Sequence, residues 1–187
     1  MLEEPRGEKC LLDSWFTLSR HKVELKAAAV HAVAKVLGPP PSPSDVPSPD
    51  SLSARQKSLS GLHKSLFERL GACNQKAARA LMMDLMRQPV PELKHAAYDL
   101  TRCVVWQPGG WGLQAMFSQP GFREFLERRD LETSKVGKEW KFSVVESVMR
   151  CPNRGLLGQD TLDSLTSILK QGPFWIPARK REFEMAS

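Results

Sequence analysis

Apolar and small residues return every three to four positions in three stretches of the chain: 23–37 (VELKAAAVHAVAKVL), 91–105 (PELKHAAYDLTRCVV) and onward from Glu139 (EWKFSVVESVMRC). That spacing is one face of an α-helix. Each stretch opens Glu-x-Lys, at Glu24-Leu25-Lys26, Glu92-Leu93-Lys94 and Glu139-Trp140-Lys141. Aligned on that opening, the inward face reads Leu25, Ala28, Ala29, Ala32, Val33 and Val36 in the first copy. In the second it reads Leu93, Ala96, Ala97, Leu100 and Val104, and in the third Trp140, Ser143, Val144, Ser147, Val148 and Cys151. The alanine pairs let a neighbouring helix approach closely. A helix repeated in this way predicts a stack of helical units, each of which buries its apolar face against the next.

Between these stretches the pattern predicts further helices over 9–19, 53–70, 74–88, 111–118 and 121–130, with the third repeated helix running over 135–151. Gly71 is the expected C-cap of 53–70 and Pro89 the stop of 74–88, while Pro91 suits a first helical turn, where its missing N–H is no loss. Two lesser helices followed by a long one is an armadillo-type triplet. The spacing of 47 residues from Glu92 to Glu139 fits such a unit, and the 68 from Glu24 to Glu92 exceeds it. The excess falls on residues 39–52 (PPPSPSDVPSPDSL), whose six prolines cannot propagate a helix or fill a core. The division expected is a partial repeat at 1–37, a Pro/Ser-rich disordered insertion at 38–52, repeats over 53–177 closed by a capping helix at 159–171, and a disordered tail at 178–187. Within the insertion, Ser42-Pro43 and Ser48-Pro49 have the form of proline-directed phosphorylation sites, with a plain spacer as the simpler reading.

Composition narrows the class. The chain has 187 residues and no run of about 18 apolar ones, and its start (MLEEPRGEKC) lacks the basic and apolar regions of a secretory signal, so a cytosolic or nuclear address is expected. Cys10, Cys73, Cys103 and Cys151 form no Cys-x-x-Cys pair, and Cys103 and Cys151 read as small buried thiols. The net charge of +6 is spread along the chain: residues 51–100 hold eight basic and four acidic residues, and 101–150 hold eight and six. A nucleic-acid footprint would be a concentrated stripe.

No catalytic constellation emerges. His21, His31, His63 and His95 are isolated and read as surface or helix-flank residues. Gly109-Gly110-Trp111-Gly112 follows a helix instead of a strand and lacks the Lys-Ser/Thr of a phosphate loop. Met82, Met83, Leu85 and Met86 read as core. Trp106, Trp111, Trp140 and Trp175 are expected at packing seams, with room for one exposed anchor. Glu24, Glu92 and Glu139 are expected to serve helix N-termini.

From residue 104 onward the run VVWQPGGWGLQAMFSQPGFREFLERR, then the long helix and Gly172-Pro173-Phe174-Trp175, resembles the C-terminal part of the proteasome non-ATPase regulatory subunit 5 family. Gln107-Pro108, Met116-Phe117, Ser118 to Phe122 and Gly172-Pro173 carry the likeness, which extends over about residues 75–176 and more weakly upstream. The resemblance implies an all-α, armadillo/HEAT-like superhelix without a cofactor. It also implies a non-enzymatic assembly chaperone of the 26S proteasome, which binds ATPase subunits of the regulatory-particle base and blocks premature docking on the core particle. Family members are much longer, so a monomer that can self-associate through its N-terminal face is expected. Gly109-Gly110 departs from the family by lengthening the loop before Trp111. Lys94, Arg102, Trp111 and Lys141, on or beside the long helices and off the apolar offsets, are the candidate partner-binding residues. A helical-repeat adaptor outside the proteasome and, less favoured, a nucleic-acid-binding repeat are the alternatives.

Overall fold

The computed structural model describes residues 23–41, 54–70 and 76–175, with side chains at 54–57 left aside. Among them are eight α-helices: α1 Val23–Leu37, α2 Ala54–Arg69, α3 Ala78–Met86, α4 Pro91–Val105, α5 Trp111–Phe117, α6 Phe122–Glu127, α7 Lys135–Arg150 and α8 Gln159–Gln171. Four expectations lie outside the described residues: the helix at 9–19, the Gly71 cap, the body of the proline-rich insertion and the tail.

Boundaries follow local chemistry. Pro91 occupies the first turn of α4. Ser134 caps α7, its Oγ accepting from the Gly137 N–H at 3.0 Å. Gly38 ends α1 at φ 87°, the left-handed conformation that glycine adopts without penalty, with its N–H on Ala34 O at 3.1 Å.

The long helices α1, α4 and α7 lie side by side and run the same way. Early residues meet early ones, as in His95 with Trp140, and middle residues meet middle ones, as in His31 with Asp99. Late residues meet late ones: Gln107 Nε2 donates to Leu37 O at 3.0 Å, and Cys151 Sγ lies 3.1 Å from Val105 O. A parallel repeat of long helices is compatible with an α-helical solenoid. In a second layer α3 and α5 pack on α4, while α6 and α8 pack on α7; α8 buries only Leu165 fully. One core runs through both layers, with Ala96, Ala97, Tyr98, Leu100, Val104 and Val105 at its centre, all fully shielded. Met82, Met83, Leu85 and Met86 are part of it. At the α4–α5 crossing Gly112 lies so close to the Val104 carbonyl that a β-carbon would overlap it. The Gly109-Gly110 departure becomes a short 3-10 turn, both glycines at φ 72°, which delivers Gly112 to that contact.

Three sequence expectations are corrected. The first copy's inward face is right only at Ala29 and Val33: α1 buries Ala27, Ala29, Val30, Val33, Ala34 and Leu37, while Leu25 and Val36 are 52% and 60% exposed. The helix is apolar on more than one side, so aligning its opening to the second copy picked the outer side. Glu24 and Glu92 do occupy first turns, whereas α7 begins at Lys135 and leaves Glu139 in its second turn, beyond the orphan N–H groups. His63 is 7% exposed, its Nδ1 2.9 Å from Gln107 Oε1, so it is a buried partner and not a helix-flank residue.

Candidate partner-binding surface

Lys141 and Lys94 were expected off the apolar face, and the structure turns both inward, Lys141 against α6 and Lys94 against the α6–α7 loop. The Lys141 side chain is 5% exposed. Its stem crosses the Phe125 ring, Nζ lying 4.6 Å from the centroid, and the ammonium donates to the Arg128 carbonyl. A long side chain can follow an apolar offset inward when a carbonyl waits at its end. Burial brings the Lys141 ammonium down to about 8, with Glu132 opposing that drop. Lys94 is 18% exposed and its Nζ sits 2.9 Å and 3.0 Å from the two oxygens of Glu132.

Glu132 is the hub of this packing. It lies in the loop between α6 and α7, is 4% exposed, and also accepts from Tyr98 Oη at 2.5 Å. Burial and the neighbouring carboxylate push the Tyr98 phenol well above its ordinary value, so it stays protonated as the donor. The hub joins α4 to the α6–α7 loop and engages Lys94, while Lys141 is buried on the Arg128 carbonyl.

Arg102 is half-buried on the outward side of α4. Its guanidinium lies 5.8 Å from the Trp140 centroid, and its Nε donates to Ser147 Oγ at 3.4 Å. His95 stacks on the same indole at 5.8 Å between centroids with 19° between planes. Burial lowers His95 below its ordinary value, against the pull of Glu132 and Glu92, so its ring is neutral at pH 7. On the other flank Asp99 Oδ2 meets His31 Nδ1 of α1 at 2.8 Å. His31, Asp99, His95, Arg102 and Trp140 thus form a polar and aromatic ladder across three helices. Sequence reasoning found Arg102 alone. The remaining signal was the spacing 95, 99, 102, the face of α4 opposite its apolar offsets.

Trp111 belongs to a different surface. It lines a cleft of about 490 Å³ with Lys64, Phe67, Glu68 and Arg79 at the meeting of α2, α3 and α5, its ring 5.8 Å from that of Phe67. Its indole N–H is shielded from solvent and has no acceptor among the described residues. Gln107 was recognised in sequence only by likeness. Its amide donates to Leu37 O and Cys103 O at 3.0 Å each while its oxygen faces His63, so one side chain joins α1, α2 and α4. Cys103 and Cys151 are buried thiols, the first pushed up to about 12 and the second also raised, chiefly by burial. Thiols so held are protonated at neutral pH and poor nucleophiles.

Parallel long helices joined at their C-terminal ends, with small and apolar seams and a polar outer ladder, define a short helical stack. The chain belongs to the proteasome non-ATPase 26S subunit family, whose profile matches residues 6–182. It is similar to the 26S proteasome non-ATPase regulatory subunit 5 of Homo sapiens, 26% identical over 172 residues, and to those of Bos taurus and Mus musculus, each 25% identical over 172 residues. Each alignment covers 91% of this chain and 31% of the relative, so the chain spans under a third of the length of these curated proteins. The family match is wider than the resemblance over 75–176, reaching back past α1. No solved structure matches the chain.

Proposed function

We propose that this chain is a non-enzymatic scaffold in assembly of the 26S proteasome regulatory particle, of armadillo/HEAT type. In this reading it binds ATPase subunits of the base and keeps immature modules from docking early on the core particle. The family match over residues 6–182 is the observation that carries the reading. The mechanism is occupancy: a partner held against the long helices cannot present the same surface to the core particle. No cofactor takes part, and the place of action is the cytosol, extending to the nucleus.

Lys94 and Lys141 are engaged within the fold, on Glu132 and on the Arg128 carbonyl, and we assign partner contact to the ladder of His95, Asp99, Arg102 and Trp140. Trp140 is the anchor, because a half-exposed indole flanked by an imidazole and a guanidinium offers rigid area at small entropic loss. Trp111 is retained as a second, separate contact at the α2–α5 cleft. The ladder alternates Asp99 with Arg102, which favours a protein surface of mixed charge over a polyanion. Binding to nucleic acid would instead fall steeply with added salt.

Affinity capture of the tagged full-length chain from cell lysate, read by mass spectrometry, tests the proposal. Recovery of regulatory-particle ATPases without mature capped proteasome is expected. Capture of an unrelated partner set, with no ATPase, supports the adaptor reading and sinks this one.

A further inference from the structure

We propose that the place where α6, α7 and α8 meet is a binding site for a small monovalent anion of the chloride class, held by Arg129, Lys138 and Lys141. A cavity of about 30 Å³ lies there, edged by those three cations and by Glu132, with Leu126, Phe142, Val145 and Ile168 as apolar walls. One water needs about 10–15 Å³, so this space accepts a single monatomic ion and is too small for a phosphate or sulfate with its four oxygens. The apolar walls offer no donors, so binding rests on the cations.

Charge around the cavity is out of balance. Arg129 bonds only neutral oxygens: Gly172 O at 2.6 Å, Ile168 O at 3.2 Å and Gln171 Oε1 at 3.1 Å. The carbonyls at the end of α8 offset part of that charge, which leaves the two lysines. Lys141, 5% exposed, gives one of its three N–H donors to the Arg128 carbonyl. Half-buried Lys138 makes no ion pair among the described residues. Glu132 is already taken by Lys94 at 2.9 Å and by Tyr98, and Asp130 by Arg128 at 2.7 Å. A buried charge in this position either loses its proton or gains a counter-ion. Burial is the leading influence on both Lys141 and Arg129 and lowers both, the former to about 8; for Lys141, Arg128 and Lys94 add to the drop while Glu132 and Asp130 oppose it. Arginine does not take the first course, and an anion in the cavity serves all three cations at once.

Urea unfolding of the full chain at pH 7, followed by circular dichroism, tests this, with sodium chloride exchanged for sodium gluconate at fixed ionic strength. Gluconate is too large for the cavity, and fixed ionic strength holds screening constant. The unfolding constant is expected to fall several-fold and level off as chloride rises to about 200 mM, because a ligand of the folded state alone stabilises it by mass action. Lys141→Met abolishes the response and Lys138→Gln weakens it; should Lys141→Met lose its helices, Lys138→Gln decides. The pH profile gives a second reading. In gluconate, stability rises with pH from about 8 toward 10.5 as the folded chain no longer holds the Lys141 ammonium, and bound chloride, by favouring that ammonium, moves the onset of the rise to higher pH. Two results overturn the proposal. One is an unfolding constant indifferent to chloride at fixed ionic strength. The other is a chloride response that neither substitution reduces, which is a general salt effect.

Discussion

Replacing Glu132 by alanine removes the carboxylate that ties the α6–α7 loop to α4. The side chain is 4% exposed and accepts from Tyr98 at 2.5 Å and from Lys94 at 2.9 Å and 3.0 Å. Loss of one member of a buried ionic group costs about 3–5 kcal/mol, mostly because the other members are left without partners. Two features hold the expected figure to the lower end of that range. Lys94 is 18% exposed and its ammonium can turn to water, and Tyr98 loses a single hydrogen bond, worth about 1.5–3 kcal/mol when the acceptor is charged. A loss of about 3 kcal/mol is therefore expected, read by urea unfolding followed by circular dichroism at pH 7. Glu132→Gln keeps an acceptor for Tyr98 and should lose less. A double-mutant cycle of Glu132→Gln with Lys94→Met should give a coupling of about 1 kcal/mol, since the two groups touch. A Glu132→Ala loss below about 0.5 kcal/mol, with an unchanged unfolding slope, would refute the buried hub; that is the range of an ordinary surface substitution.

Lys141 gives a pH signature. Its folded value of about 8 is below the unfolded value of 10.5, so between those limits the unfolded chain binds more protons and stability rises with pH. Relative to Lys141→Met, wild-type stability should gain about 3 kcal/mol from pH 7.5 to pH 10.5, with the responses of Tyr98 and Cys103 common to both proteins and cancelling. A flat difference would place the ammonium in water. Gln107→Ala removes a side chain that joins Leu37, Cys103 and His63, and a loss of about 2 kcal/mol is expected in the same urea assay. Because Leu37 ends α1, hydrogen exchange in that variant should rise in α1 more than in α7; uniform exchange would argue against a junction role. Trp140→Ala, half-exposed, should lower affinity for a captured partner at least tenfold while leaving helix content intact.

Much of the fold was legible in sequence because the helix ends carry their own chemistry. Pro89, after the end of α3, and Pro91, in the first turn of α4, mark boundaries through backbone rules that act over a few residues. The inward face of α4 was also legible, since that helix has one strong apolar side. α1 was misread for the opposite reason: leucine, valine and alanine occur around it, and its inner side is chosen by α4, a fact of packing that no local pattern records. The third Glu-x-Lys shared letters with the others but not their place in the helix. Lys141 defied its polarity because Phe125 and the Arg128 carbonyl, from another element, receive it. Glu132, alone in a loop, has no periodic signal, and the meeting of His63 with Gln107 depends on contacts across distant parts of the chain. The outer ladder was partly visible as the 95, 99, 102 spacing, and its centre, Trp140, packs against the core as expected of a seam tryptophan while also meeting His95 and Arg102.

In the proposed function this helical stack holds proteasomal ATPases through the outer side of its long helices. The most direct test is quantitative capture of regulatory-particle ATPases from lysate by the wild-type chain, by Trp140→Ala and by Arg102→Ala. Recovery by the wild type, with a strong drop for both variants at unchanged helicity, is predicted. Equal recovery by all three would contradict the assigned surface, and absence of ATPases from the wild-type capture would contradict the function itself.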